Sequence, residues 1–127
     1  MKIEVSNGEI VDKLTILIIK KENIKDKAKL KNIEEEISSI APISDQIIKR
    51  KDSMFTDLYR VNQELWDVED KIRIMERESR FDKDFVELAR SVYKLNDRRA
   101  EIKRNINKFS KSSLLEEKSY EGYTWEY

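Results

Sequence analysis

The fold is decided near the N-terminus, by residues 6–19, which read SNGEIVDKLTILII. Ser6 and Glu9 have the spacing of a capping box, in which the serine hydroxyl accepts a hydrogen bond from an otherwise unpaired backbone N–H and the glutamate reaches back. From Leu14 to Ile19 the sequence is apolar on nearly every helical side, which is typical of a helix buried by several neighbours. The stretch therefore predicts the start of a long, buried helix in an all-α protein.

The composition agrees with long helices and excludes several kinds of chemistry. The 127 residues include 26 basic and 26 acidic residues, which make 41% of the chain charged, but only two glycines and one proline. This balance favours solvent-exposed helices and disfavours a turn-rich β-sandwich. Cysteine and histidine are absent, which excludes disulfides, thiolate nucleophiles and the commonest general base and metal ligand. We therefore expect neither a metal nor another cofactor.

The location expected from the sequence is cytoplasmic. No segment has the roughly 18 consecutive apolar residues that a membrane span needs, and the first residues, MKIEV, lack the hydrophobic stretch of a signal peptide. We therefore expect no contact with a membrane, and the length predicts a single domain over residues 1–127.

Helix boundaries and hydrophobic periodicity predict three helices. The first is expected at about residues 7–40 and should stop before Pro42, because the residue before a proline is disfavoured in helical conformation. The second and third, at about residues 45–78 and 83–109, each carry an apolar stripe of helical spacing. Short connections imply an antiparallel up-down-up bundle with coiled-coil-like packing, against which a tail at residues 110–127 docks. The tail is aromatic and contains Tyr120, Tyr123, Trp125 and Tyr127.

The apolar face of the predicted first helix changes side between its two halves. Leu14 and Leu17 share one face, whereas Ile33 and Ile37 lie roughly opposite when residues are placed about 100° apart. Either the helix breaks or bends near residues 25–29, or a straight helix packs against a second chain beyond the three-helix core. Both alternatives stay open here, and the apolar stretch described above favours a homodimer.

Five polar side chains interrupt the apolar stripes at similar heights along the bundle, and they are the candidate ligand-binding residues. Burying such groups is costly unless each finds a partner. One interpretation is an internal network, in which Glu69 pairs with Arg99 or Lys21 and Asn62 pairs with Asn96. Another is a pocket for a small anion, because arginine holds a carboxylate at two points. In a third interpretation, the assumed alignment of the three helices is wrong and the five side chains face solvent. The five residues are Lys21, Asn62, Glu69, Asn96 and Arg99.

Two other groups of charged residues have simpler interpretations. The cluster Asn7, Gly8, Glu9, Asp12 and Lys13 is interpreted as an ordinary helix cap, because its carboxylates would compete with an anion at the helix start. Basic stretches at 20–31 and 98–111 should lie towards the same end of an up-down-up bundle. They lack the interleaved aromatic residues and the docking motif of a nucleic-acid binder, so a solvated helix face is the preferred interpretation.

Four longer motifs are present: residues 5–17 (VSNGEIVDKLTIL), 62–73 (NQELWDVEDKIR), 88–104 (LARSVYKLNDRRAEIKR) and 116–120 (EEKSY). Together they resemble the motifs of a known family. The resemblance extends over nearly the full length, to a family of small uncharacterised proteins of bacteria and their phages. It implies a complete single domain that includes residues 116–120, and it implies no activity. It also makes Asn62, Glu69, Asn96 and Arg99 positions of the family motifs.

The function predicted from the sequence is a non-catalytic helical module for interaction or assembly, acting as a homodimer or with another protein. The alternative is a small-anion pocket in the bundle core, of the kind found in the helical chorismate mutases, where Arg, Lys and polar side chains surround a dianion. That analogy rests on architecture and residue chemistry alone. Nucleic-acid binding through the basic stretches is the second alternative.

Overall fold

The computed structural model describes residues 1–116, in which four α-helices are joined by short turns. They are α1 (Asn7–Asn23), α2 (Lys27–Ile47), α3 (Ser53–Arg77) and α4 (Lys83–Phe109). Residues 1–116 contain no strand, which confirms the all-α class, whereas the predicted count of three helices is wrong. Among these residues no helix has the length and apolar character that crossing a membrane requires. Of the tail predicted at residues 110–127, residues 117–127, with all four of its aromatic residues, lie outside the described residues.

The fourth helix arises because the predicted first helix breaks at residues 24–26. The backbone of Ile24 is extended, and its N–H donates to the carbonyl of Lys20, which ends α1. The side chain of Asp26 then accepts a hydrogen bond from the N–H of Lys29 and begins α2, as N-cap residues do. The two apolar faces thus belong to two helices, so the change of face no longer requires a partner chain.

Pro42 lies inside α2 instead of following its end. A proline in a helix interior removes a hydrogen bond and clashes with the preceding turn, at a cost of about 3 kcal/mol. The helix nevertheless continues to Ile47, because Ile40 and Ala41 pack against the hydrophobic core. Tertiary burial therefore overrides the local stop signal, and the next helix begins later than the predicted residue 45.

The helix α1 lies at the centre of the fold and packs against each of the other three helices. Helix α4 runs antiparallel to α1, since the start of α1 at Gly8 contacts Asn107 whereas Asp12 contacts Arg99. Helices α3 and α4 form a long hairpin. Apolar side chains from α1, α3, α4 and the turn after α2 form one buried cluster, which consists of Val11, Leu14, Ile48, Phe55, Leu58 and Ile106.

Within residues 1–116, only one end of the α3–α4 hairpin is enclosed by the other helices. We define the base as α1, α2 and residues 53–66 and 96–109, and the arm as residues 67–95. The buried residues of α3 and α4 all lie in the base, and none of residues 63–105 is buried. At the tip of the arm Phe81 is 57% exposed and contacts Phe85 edge to face.

Candidate functional site

The polar centre of the base is built around the carboxylate of Asp12, a residue of α1 that is 1% exposed. Arg99 on α4 donates to it twice, from Nε to Oδ1 at 2.8 Å and from Nη2 to Oδ2 at 2.6 Å. Two-point pairing of this kind fixes the orientation of a guanidinium as well as balancing its charge. These hydrogen bonds raise the pKa of Arg99 further above its usual range, against the opposing effect of burial.

Asn62 and Thr15 complete the polar centre. The Nδ2 of Asn62, on α3, donates to Oδ1 of Asp12 at 2.9 Å and to Oγ1 of Thr15 at 2.8 Å. The Thr15 hydroxyl donates in turn to the backbone carbonyl of Asp12. Because α1, α3 and α4 each contribute a side chain, this network sets the register of three helices.

A second set of polar contacts joins the start of α1 to the end of α4. The side-chain oxygen of Asn107 accepts a hydrogen bond from the N–H of Gly8 at 2.6 Å. A β-carbon at Gly8 would lie only 2.5 Å from the carbonyl oxygen of Lys103, so the close approach of the two helices requires a glycine. Lys103 Nζ donates to the carboxylate of Glu9 at 2.6 Å. This ion pair replaces the reach-back of Glu9 that the capping box predicts.

The backbone N–H groups at the start of α1 are bonded within the chain. The N–H of Asn7 donates to the hydroxyl of Ser112, and that of Glu9 donates to the hydroxyl of Ser6, as predicted for the cap. The N–H of Ile10 donates to the carbonyl of Ser6. Together with Gly8, these groups form the ordinary cap expected from the sequence.

Glu116 extends this cap from the other end of the described chain. Its carboxylate accepts hydrogen bonds from the hydroxyl of Ser6 and from Nδ2 of Asn107. Partial burial alone would raise the pKa of Glu116, but these hydrogen bonds and the charge of Lys103 outweigh burial and lower it. The segment that reaches Glu116 therefore packs onto the fold, whereas residues 117–120 of the same motif lie outside the described residues.

The structure places four of the five predicted site residues around one open groove at the foot of the arm. Asn62, Glu69, Asn96 and Arg99 line this groove, whose volume is about 520 Å³. Lys21 lies elsewhere, half exposed, with its Nζ 4.0 Å from a carboxylate oxygen of Glu34 on α2. The remaining lining residues are Ile16, Ile19, Leu65, Trp66, Asp70 and Arg73.

The pairing predicted for Glu69 and Asn62 is wrong. Glu69 is 51% exposed and lies 3.8 Å from Arg73, one turn along α3, because its position falls in the arm. Asn62 donates to Asp12 instead of pairing with Asn96, which is exposed. The predicted layer therefore divides into two buried or half-buried residues of the polar centre and two exposed residues of the groove.

The partner of Arg99 escaped the sequence analysis, which assigns Asp12 to the helix cap. The missed signal is its place on the helix, where Asp12 follows Gly8 by four residues and precedes Thr15 by three. Residues at these spacings share one helical face, and both neighbours face the inside of the base. A buried carboxylate on that face requires a cation, and Arg99 supplies it.

The two basic stretches do not lie towards the same end, as the three-helix arrangement predicts. Residues 98–111 lie beside the start of α1, where Gly8 contacts Asn107, whereas residues 20–31 surround the break at the end of α1. The break reverses the chain and thereby separates them. Cations of both stretches also lie in ion pairs, among them Lys21 with Glu34, Arg99 with Asp12 and Lys103 with Glu9.

The groove combines charges of both signs with an apolar wall. Its two guanidinium groups each face a carboxylate, Arg99 that of Asp12 and Arg73 that of Glu69, and Asp70 adds a further negative charge. Such a lining does not attract an anion as a cluster of unpaired cations would. Within residues 1–116, no group of three or more acidic side chains is placed to hold a metal ion.

Comparison with known proteins adds a family but no activity. A family model described as a family of unknown function, DUF6165, matches residues 1–124. The matched range contains the polar centre, the groove and the arm. No curated protein and no solved structure matches the chain.

Proposed function

We propose that this chain, which belongs to the DUF6165 family of unknown function, is a non-catalytic interaction module whose arm assembles with a second copy. The observation that carries the proposal is the lack of burial along the hairpin, since none of residues 63–105 is buried within the single chain. Helices of amphipathic sequence derive most of their stability from packing of the apolar face. A hairpin that long, which the described part of the chain covers at one end only, is therefore suited to pack against another protein surface.

The arm carries apolar side chains on both of its helices. Ile72 on α3 and Leu88 on α4 are partly buried, so that part of each side chain still meets water. Ile74 and Val86 are 45% and 43% exposed. A second hairpin packed against the first would form a four-helix bundle and cover this surface.

The charges of the arm favour a second copy over a nucleic acid. Residues 67–95 carry eight acidic and seven basic side chains, mixed along both helices. A nearly neutral surface of mixed sign associates with itself without net repulsion, whereas a nucleic-acid binder needs clustered cations that neutralise phosphates. A hairpin also pairs with its copy about a two-fold axis, which is the commonest symmetry of small oligomers.

Three finer expectations from the sequence accompany this proposal. Coiled-coil-like packing within the hairpin is supported by the partly buried Leu88, Val92 and Leu95, which recur at spacings of four and three on α4. A cytoplasmic location stays an expectation from the sequence. A bacterial or phage origin is supported by the resemblance of the motifs.

The oligomeric state at increasing concentration tests the proposal. We expect light scattering of the full chain to show a dimer that dissociates on dilution and that is lost in the double variant Ile74→Lys/Val86→Lys. The matched control is Ile43→Lys, at a position of α2 with similar exposure, 50%, which should leave the dimer intact. A monomer up to high micromolar concentration, or a dimer broken only by the α2 variant, would contradict the proposal.

A further inference from the structure

We propose that the groove at the foot of the arm binds a zwitterionic amino acid or short peptide with an apolar side chain. In this site Arg99 receives the carboxylate, Glu69 and Asp70 receive the ammonium group, and Trp66 contacts the side chain. The inference goes beyond assembly through the arm, because it concerns a small ligand and a different set of side chains.

Arg99 is prepared for this role by the polar centre. Asp12 takes two of the five hydrogen bonds that a guanidinium can donate, and Asn62 bonds the same carboxylate. The guanidinium is thereby fixed, while 27% of the Arg99 side chain remains exposed and lines the groove. A group held in place before binding loses little conformational entropy when a ligand arrives.

The balance of charge selects a zwitterion over an anion. Around the groove, the carboxylates of Asp12, Glu69 and Asp70 outnumber the guanidinium groups of Arg73 and Arg99. A phosphate or a dianion would bring further negative charge into this setting, whereas a ligand with one group of each sign is electrostatically complementary to it.

The apolar wall and the size of the groove define the rest of the ligand. Ile16 and Ile19 from α1 lie around the same groove as Leu65 and Trp66 from α3. Ligand sites are commonly about 300–1,000 Å³ and mostly apolar, with a few polar groups that set orientation. The volume of about 520 Å³ admits a large side chain, and the indole of Trp66 offers an aromatic face for it.

The binding experiment uses the full chain with Trp125→Phe, which leaves Trp66 as the single tryptophan. Its fluorescence is followed during titration with phenylalanine, with the dipeptide of two phenylalanines, with phenylalanine amide, with 3-phenylpropionate and with inorganic phosphate. We expect saturable changes with the two zwitterions, whose relative affinities distinguish an amino acid from a peptide site. The amide and the propionate each lack one charge and should bind about tenfold more weakly, a loss of about 1.4 kcal/mol.

Variants at the exposed end of the groove complete the test without disturbing the polar centre. Asp70→Asn and Glu69→Gln should each weaken phenylalanine binding several-fold and leave 3-phenylpropionate binding unchanged or stronger. Asp67→Asn is the matched control, because Asp67 is an exposed residue of α3 outside the groove lining. Equal binding of phosphate or 3-phenylpropionate and phenylalanine would overturn the proposal, as would the lack of saturation with either zwitterion. The proposed assembly is tested by a separate measurement, the oligomeric state, so that failure of one proposal is distinguished from failure of the other.

Discussion

Helices α3 and α4 run through both the base and the arm, yet their polar residues have opposite roles in the two regions. In the base α1 covers the hairpin, and Arg99 meets an aspartate that is 1% exposed. In the arm Arg73 is 77% exposed and lies beside Glu69 at 3.8 Å. The comparison teaches that a charged residue beside an apolar stripe becomes part of a buried hydrogen-bond network only where a third helix covers it.

The two ion pairs should therefore differ in their effect on stability. Breaking a buried pair by removing one partner costs about 3–5 kcal/mol, because the other charge is left without compensation. An exposed pair one turn apart contributes about 0.3–0.5 kcal/mol, since water screens both charges.

The largest expected effect comes from replacing the arginine of each pair in turn. Arg99→Met should lower the free energy of unfolding by about 3–5 kcal/mol, because the carboxylate of Asp12 stays buried. Arg73→Met, the matched control in the arm, should lower it by about 0.5 kcal/mol or less. Urea unfolding of the two variants measures both values, and similar losses would remove the distinction between base and arm.

A double variant isolates the pair itself. Adding Asp12→Asn to Arg99→Met removes the buried charge, so the double variant should lose less stability than the sum of the two single variants. Additive losses would mean that the two side chains do not act as a pair.

Leucine-to-alanine substitutions test whether side chains are packed more tightly in the base than in the arm. Leu58→Ala, at a fully buried position of the base, should cost about 2–5 kcal/mol because it leaves a cavity. Leu88→Ala, at a partly buried position of the arm, should cost about 1 kcal/mol in the monomer. Thermal unfolding at low concentration measures the difference, and an equal loss at both positions would show that the arm is packed as tightly as the base.

Gly8→Ala tests the close contact between α1 and α4. Alanine is favoured over glycine in a helix by about 1 kcal/mol, but here the new β-carbon would meet the carbonyl oxygen of Lys103 at 2.5 Å. We expect a net destabilisation of about 1–3 kcal/mol from the forced separation of the helices. Ser38→Ala, at an exposed position of α2, serves as the control with little effect. A stabilised Gly8→Ala protein would show that the helices separate at no cost.

The smallest expected effect is the alkaline response of Tyr59, at the edge of the base. Its hydroxyl donates to both carboxylate oxygens of Glu22, at 2.5 and 2.9 Å. This hydrogen bond, with smaller contributions from burial and from the charge of Glu22, raises the pKa of Tyr59 to about 12. The folded state therefore holds a proton that the unfolded state releases near pH 10, its ordinary pKa.

The stability from this bond is complete below about pH 10 and is lost as the pH rises towards 12. Stability measured across that range should fall more steeply for the natural chain than for Tyr59→Phe. Parallel curves for the two proteins would mean that the hydrogen bond is broken in solution.

Helix α4 shows how much of the fold can be predicted from short stretches of sequence. Its predicted range of 83–109 is confirmed, because the signals at its two ends act within one turn: the Asp82 side chain accepts from the N–H of Phe85, and the Ser110 hydroxyl donates to the carbonyl of Ile106. The break before Asp26 was one of two open alternatives, and the passage of α2 through Pro42 was missed. The break and the continuation through Pro42 both depend on what each helix packs against, and the helix propensities of neighbouring residues carry no information about that.

The candidate site divides in the same way. Four of the five proposed residues line one groove because helical periodicity places them at related heights on α3 and α4. The shared partner of Asn62 and Arg99 was missed, because Asp12 lies on α1, and α1 was predicted as part of a longer helix.

The sequence by itself determined the all-α class, the cap of the first helix and the stripes that bring α3 and α4 together, because capping and amphipathic periodicity act over a few residues. The tertiary structure alone decided that Asp12 is the partner of Arg99 and that Gly8 lies under a carbonyl of α4. It also decided that the arm extends beyond the part of the hairpin that α1 covers. The physical reason is burial. Whether a charge is compensated or solvated depends on the helix that lies over it, and that helix is distant along the chain.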